Sequence, residues 1–412
     1  MTFAERIRGI FNRGVVNPPD PGRYSFWPNT WSADGRFFGA QEALQLSVVW
    51  ACVSVISRSL AGCDWKVYQR KEGQLEYLEN DDLDYLLNTR PNPEMTGIAF
   101  REALVASAAV WGNGYAEIVR DQAGRVKELW PLDPERVETI RVDAAGNRVN
   151  IGGELAYLVT QIGDKQVILR QASVYHLRGP SLTGLLGENM VVRGAKTLVL
   201  SAAADEFATS YYRNNTVVGG VLEYPKTLDQ TSLKRLADQW AEKHRGPASS
   251  HKPVILENGM SWKQMGDSSA QSSQMLESRK FQVEEVARWF GVPLHLLGSL
   301  AGSQGYGTNL EQLGLGFVRD CLGPWAKRLE QEADWKFFPM RGPTSKKQTK
   351  MDLTPLTRGD SLTRANAYSV MRRMGVYSAN DILRMEGQNA IGPEGDVRLV
   401  EAGLISYEEL GT

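Results

Sequence analysis

Gly302, Gly305 and Gly307 lie in a polar loop just ahead of a helical pattern, a spacing from which backbone N–H groups can cradle a phosphate. Nucleotide chemistry needs more than glycines. A Lys-Ser/Thr pair must open the following helix, so that the lysine reaches the phosphates and the hydroxyl reaches the magnesium. Thr308-Asn309 stands there instead, no apolar strand leads in, and no lysine lies nearby. The histidines His176, His244, His251 and His295 make neither an HExxH pair nor another metal spacing, and no GxSxG elbow occurs. His295, after Val292-Pro293-Leu294, reads as a polar contact at a helix–loop joint. Asp81, Asp82 and Asp84 lack the glycine and terminal glutamate of a calcium loop. Ahead of Tyr85-Leu86-Leu87 they read as a first helical turn, where carboxylates complement the helix dipole. Cys52, Cys63 and Cys321 are too few and too scattered for a disulfide framework or a zinc site, and are expected as free thiols in a reducing cytoplasm. The Asn214-Asn215-Thr216 sequon then has no role. With no convergent nucleophile, base and stabiliser, the chain is read as no enzyme, with no cofactor and no ATPase activity of its own.

What remains is recognition by polar and charged surfaces. The formal net charge is −1, so the chain has no global excess of cations with which to grip nucleic acid. Local excesses exist. Lys336, Arg341, Lys346, Lys347 and Lys350 run without an acid between them, and the end beyond Glu386 is acidic. Between 226 and 252, Lys226, Lys234, Arg235, Lys243, Arg245 and Lys252 outnumber Asp229, Asp238 and Glu242. Each set reads either as a solvated face or as a partner surface.

The elements that must position these groups are legible in part. With 412 residues, 42% of them hydrophobic and 23% charged, the chain is expected to fold as an ordinary protein of two or more domains. No apolar run approaches the ~18 residues of a membrane span, so no membrane partner is expected. Residues 14–40 combine four prolines with Tyr24, Phe26, Trp27, Trp31, Phe37 and Phe38, an arm expected to pack on its own body or on a neighbour. Helices are expected at 46–62 and 96–111, the latter from a Thr96 cap to Gly112. Strands are expected at 65–70, 115–120, 126–132, 137–142, 155–161, 166–170 and 174–178. A helix at 188–213 carries the small run Ser201-Ala202-Ala203-Ala204. A compact insert then holds a strand at 220–224, a helix at 230–244, and strands at 253–256 and 261–265. The helix at 271–290 has balanced charges, including Arg279, Lys280, Glu284 and Arg288, and stops at Gly291-Val292-Pro293. The helix at 309–338 should kink at Pro324. A last block has helices near 360–374 and 378–385. The class is mixed α+β.

Several segments also resemble one family. These are Ser47-Val48-Val49-Trp50-Ala51-Cys52-Val53, Trp65-Lys66-Val67-Tyr68, Leu86 to Pro93, Gly112-Asn113-Gly114-Tyr115-Ala116 and Leu129-Trp130-Pro131-Leu132. His176-Leu177-Arg178-Gly179, Gly219-Gly220-Val221-Leu222, and Val292-Pro293-Leu294-His295-Leu296-Leu297-Gly298 with its glycine loop and Thr308-Asn309-Leu310-Glu311-Gln312 continue the order. Over residues 44–390 the chain resembles the portal proteins of tailed bacteriophages. The resemblance implies an N-terminal arm (1–43), an α/β wing (44–187), a first stem helix (188–214), an inserted α/β clip (215–268) and a second stem helix with its anchor (269–298). It further implies a tunnel loop (299–308), a long kinked wing helix (309–338), and a helical crown with the C-terminal tail (339–412).

By the same resemblance the chain forms a homo-oligomeric ring, usually dodecameric, at one capsid vertex of the virion, after assembly in the host cytoplasm. Double-stranded DNA passes along the axis in packaging and ejection. The further partners implied are the terminase, the major capsid protein and head–tail adaptor proteins, with the basic clip residues facing terminase or adaptor. Gly302, Ser303, Gln304, Gly305, Tyr306, Gly307, Thr308 and Asn309 would meet DNA through neutral contacts. Arg279, Lys280, Glu284 and Arg288 would face the lumen or a neighbouring subunit. A packaging motor or nuclease would need Walker motifs or an acidic metal cluster, and the sequence has neither.

Overall fold

The computed structural model describes residues 39–71, 74–78, 81–149, 152–161, 163–214, 220–223, 230–231, 234, 261–264, 268–298, 308–338, 347–357 and 361–399. In chain order the elements are α1 (Ala40–Gln45), α2 (Ser47–Ala61), β1 (Trp65–Lys71), β2 (Gln74–Tyr77), α3 (Asp82–Asn88), α4 (Gly97–Trp111), β3 (Asn113–Arg120) and β4 (Val126–Leu132). Next come β5 (Val137–Val142), β6 (Glu154–Thr160), β7 (Gln166–Arg170), β8 (Val174–Arg178), α5 (Met190–Arg193), α6 (Ala195–Asn214), β9 (Gly220–Glu223) and β10 (Ser261–Gln264). The chain continues through α7 (Ser268–Phe290), α8 (Thr308–Phe317), α9 (Gly323–Phe337), β11 (Lys347–Met351), α10 (Thr354–Thr357), α11 (Ser361–Arg373) and α12 (Ala379–Met385). The strands form small antiparallel sheets in the orders β11-β1-β2, β4-β3-β8, β5-β6-β7 and β10-β9. This is the mixed helix-and-sheet class expected.

Local chemistry sets the boundaries. The Thr96 hydroxyl accepts from Ala99 N at 3.4 Å to open α4, and Gly112 closes it at φ +77°, a left-handed position that suits glycine. Asp81 caps α3, accepting from Leu83 N at 3.0 Å. Asp84 is buried and accepts from Val67 N and Tyr77 Oη, so this acidic group is a fold device and not a metal site. Burial raises its carboxyl above the ordinary carboxylate value. The helix expected at 46–62 is found as α2, with the short α1 ahead of it, whereas the helix expected at 188–213 is divided. Leu46, at ψ 118°, separates α1 from α2, and Gly194 separates α5 from α6. The 309–338 helix carries a π-helical turn, Val318–Leu322, in which Gly323 N donates to Val318 O. The turn sits one residue before Pro324, whose ring would otherwise meet the carbonyl four residues earlier.

The main apolar core joins α2, α4, β1, β3, β8 and α9 around Ile56, Leu60, Trp65, Phe100, Leu104 and Leu329. Two features were not expected. Arg101 is buried and donates to Ala61 O at 2.7 Å, to Leu87 O and to Asn88 Oδ1, satisfying the carbonyl ends of two helices with a cation. Strand β11 arises from the basic stretch read either as a solvated face or as a partner surface. Lys336 is buried, donating to Gln171 O and 3.7 Å from Glu332, while Lys347 pairs with Asp81. The other edge of β11 is closed by α9 carboxylates, with Glu330 accepting from Met351 N at 2.9 Å and Asp334 from Thr349 N at 2.6 Å. Thus alternate residues of a charged run face a sheet partner and a helix. Cys52 is buried and free, as read from the sequence, its thiol pushed up to about 12 mainly by desolvation, which leaves it unreactive.

His176 is fully buried between Tyr157 Oη (3.0 Å from Nδ1) and Asn113 Oδ1 (2.8 Å from Nε2). The Asn113 amide already donates to Trp111 O and Gly187 O, so its oxygen accepts from Nε2–H and the tyrosine donates to Nδ1. Burial first, then the Arg178 and Lys336 charges, hold the imidazole well below its ordinary 6.5. The folded chain therefore stays neutral here while the unfolded chain takes up a proton as pH falls through about 6.5. Stability should drop on acidification below that pH by about 1.4 kcal/mol per pH unit from this site. Urea unfolding at several pH values should show that slope in the wild type and lose it in His176→Gln.

Candidate functional site

Two long helices, α6 and α7, lie against one another and run antiparallel. Asp205 meets Arg279 at 2.9 Å, and Gln282 Nε2 donates to Leu200 O at 3.4 Å. Val286 is fully buried in the apolar cluster that also holds Val191 and Leu198. Ser201 and Ala208 are buried too, consistent with small residues letting the second helix approach.

Each helix is seated by a specific joint. The α6 side begins where Gly112, Gly179 and Gly187 converge: Gly179 N donates to Gly112 O at 2.7 Å, and Gly187 N to Asn113 Oδ1 at 2.9 Å. Asn189 then caps α5 through Val191 N and Val192 N. At its C-terminus, α7 ends in a Schellman arrangement: Gly291 (φ +68°) donates to Arg288 O at 3.2 Å and Val292 to Ala287 O at 3.0 Å. Val292 is buried, and Leu294 and Leu297 of the following 3-10 turn (Leu294–Leu297) pack on the main core. Gly298, left-handed at φ +77°, ends that turn. His295 is half-buried beside it.

The candidate residues fall as follows. Gly302, Ser303, Gln304, Gly305, Tyr306 and Gly307 lie outside the described residues, as do Lys226, Arg235, Lys243, Arg245 and Lys252. Thr308 and Asn309 open α8. Lys234 and Lys280 are exposed, and Glu284 is half-buried. Arg279 and Arg288 were read as facing a lumen or a neighbouring subunit. Both have partners within their own chain: Arg279 reaches Asp205 across the helix pair, and Arg288 reaches Glu285 one turn back. Asp205 and the Asn113–Gly187 joint were missed, since neither carries a local motif and only the tertiary pairing reveals them. The Arg279–Asp205 pair is about half exposed on both sides (47% and 46%), so solvent and salt screen it. A double-mutant cycle with Arg279→Ala and Asp205→Ala should give a coupling of about 0.2–1 kcal/mol that shrinks at high salt.

Comparison with known proteins decides the family. The family model described as phage portal protein matches residues 47–387. The chain belongs to the phage portal protein family. It is 29% identical to the portal protein of Enterobacteria phage HK97 over 375 residues, covering 90% of this chain and 85% of that one. It is 27% identical to the probable portal protein of Streptomyces phage phiC31 over 385 residues, covering 92% and 81%. Solved structures share the fold. The neck of a native gene transfer agent particle, computed with C12 symmetry, contains a chain matching with TM-score 0.59 at 20% identity over 91% of this chain and 95% of its own. An HK97-family phage portal protein from Corynebacterium diphtheriae matches with TM-score 0.52 at 14% identity, over 77% and 95%. The role is that of a portal, or connector, in a phage or phage-like particle. That role is structural, and among the described residues of this portal chain no group of three or more His, Cys, Asp or Glu is placed to hold a metal.

Proposed function

We propose that this portal chain assembles into a ring of twelve copies at one vertex of a virion, around an axis along which double-stranded DNA enters during packaging and leaves during ejection. The antiparallel pair α6–α7, seated at both ends and followed by a turn anchored through Val292, Leu294 and Leu297, carries the reading. The gene transfer agent neck computed with C12 symmetry supports the ring number. In this reading residues 188–214 and 269–298 are the stem, 44–187 the wing with 309–338, 215–268 the clip, and 339–412 the crown and tail. Strand β11 returns from beyond 338 to the wing sheet. The loop at 299–308 faces the axis, where Ser303, Gln304, Tyr306 and Asn309 offer neutral hydrogen bonds to phosphates. Such contacts are weaker than lysine–phosphate pairs and let DNA slide. Because Arg279 and Arg288 are engaged within the chain, the lumen-facing charge of the stem is reduced, which serves the same end.

The clip, with Lys226, Lys234, Arg235, Lys243, Arg245 and Lys252, meets the terminase and later the head–tail adaptors, while the wing meets the major capsid protein. Assembly takes place in the host cytoplasm. Energy for translocation comes from the partner motor. A role for this chain as motor or nuclease is not favoured by any arrangement among its described residues. Electron microscopy of the purified protein tests the proposal: rings with a central hole are expected, and a homogeneous population of monomers would overturn it.

A further inference from the structure

A cleft of about 280 Å³ opens where several elements meet, and none of its residues belongs to the α6–α7 pair. Arg120 ends β3, Glu154 begins β6, and Gln171 sits in the turn before β8. Trp335 and Lys336 end α9, with Phe338 just beyond. Trp335 keeps 39% of its surface exposed, and Phe338 is half-buried. Lys336 lies 3.7 Å from Glu332, and Glu154 lies 4.0 Å from Arg170. Arg120 is different. It donates to two carbonyls, Gly124 O at 2.9 Å and Lys336 O at 2.6 Å, and no carboxylate of the described residues pairs with it. Burial holds its pKa below the ordinary value, with no acid beside it to raise it again. Glu332 must also serve Arg178, at 3.0 Å. Among the lining residues and their ion-pair partners, the cations Arg120, Arg170, Arg178 and Lys336 therefore outnumber the carboxylates Glu154 and Glu332. A cleft with surplus positive charge and aromatic walls is built to receive an anion with an apolar body.

We propose that this cleft binds an organic carboxylate carried on a flat apolar body of ring size. The reading goes beyond the portal function and does not rest on it. A guanidinium has five N–H donors in a planar fork, and the two carbonyls leave three of those on Arg120 for a carboxylate, which such a fork matches. The apolar body would lie against Trp335 and Phe338, where aromatic contact adds to area burial. Size sets the class. Pockets for drug-sized ligands start at about 300 Å³, so this cleft suits a smaller acid. Charge sets it further, because Glu154 lines the same cleft and would repel the second charge of a phosphate dianion. A free aromatic acid and an acidic side chain beside an aromatic one on a neighbouring copy both present this chemistry, and the test separates them.

The test irradiates the full chain with benzoylbenzoate, a photoreactive aromatic monoanion, and maps the label by mass spectrometry. Label is expected on peptides holding Arg120, Ala172 or Trp335. Excess naphthoate should remove it, whereas naphthamide, of the same shape without the charge, should not. Labelling of dilute and assembled protein alike assigns the site to a free acid. Labelling of dilute protein alone assigns it to a side chain of a neighbouring copy. A calorimetric titration with naphthoate adds a second measurement. Arg120→Gln should weaken binding roughly tenfold or more, and Arg120→Lys, which keeps the charge but not the fork, should fall between it and the wild type. The comparison of naphthoate with naphthamide on the wild type holds even if Arg120→Gln fails to fold. No label, label elsewhere, equal competition by the amide, or unchanged affinity in a folded Arg120→Gln would each overturn the proposal.

Discussion

Deleting residues 303–307 should leave assembled rings on the grid yet cut DNA-filled particles on the order of tenfold or more, the change that about 1.4 kcal/mol produces. The assembly half of this expectation follows from where the loop is attached. Both flanks are independently held: Val292, Leu294 and Leu297 are anchored in the main core, and Phe317 and Val318, at the far end of α8, are buried in it. Shortening the segment between them removes none of those contacts. The packaging half follows from repetition. One neutral hydrogen bond contributes about 1 kcal/mol net, but a ring presents it once per subunit to the same duplex. Because a deletion can also strain the start of α8, a length-preserving variant with Ser303, Gln304 and Tyr306 replaced by alanine should show the same direction of effect. Counting DNA-filled heads by sedimentation, alongside rings by microscopy, checks both. Wild-type packaging in both variants would remove the loop from the mechanism.

The parts of this structure legible in the sequence are those governed by local chemistry. Strands β5 to β8 show alternating patterns and turn residues, and α4 has its Thr96 cap and its Gly112 stop written directly at its two ends. The stop of α7 was legible for the same reason, since Gly291-Val292-Pro293 encodes a Schellman end without help from elsewhere. What stayed hidden depends on distant partners. Strand β11 reads as a basic surface run because its register is set by Trp65 to Gln69 across a long sequence gap and by two acidic side chains of α9. Arg101 looks like an ordinary helical cation until two helix ends supply the carbonyls around it. For the candidate site, the helix pair was legible but its ion pairing was not. Asp205 and Arg279 are neighbours only because the two helices run antiparallel. Part of the channel assignment came from family resemblance, and the loop and most of the clip lie outside the described residues.

Gly187 gives the sharpest link from packing to function. A Cβ built there would stand 1.8 Å from Gly112 O and 2.8 Å from both Gly112 C and Gly179 N, all backbone atoms that cannot rotate away. Overpacking of a well-filled site ordinarily costs 1–3 kcal/mol, and contact this short with backbone places Gly187→Ala at about 3 kcal/mol or above. Relief requires the 179–188 connection to move off the C-terminus of α4. That movement breaks the paired Asn113–Gly187 hydrogen bonds and displaces the Asn189 cap that opens α5 and leads into α6. The substitution should therefore lower the urea midpoint and also reduce the fraction of chain recovered in rings, since α6 is one wall of the proposed stem. Gly124→Ala separates strain from sterics: Gly124 has φ +79° with nothing within 4 Å of an added Cβ, so only the left-handed penalty of roughly 1–2 kcal/mol applies. Rings should survive that change. If Gly187→Ala lost no more stability than Gly124→Ala and formed rings equally well, the close three-glycine junction would not be what seats the stem.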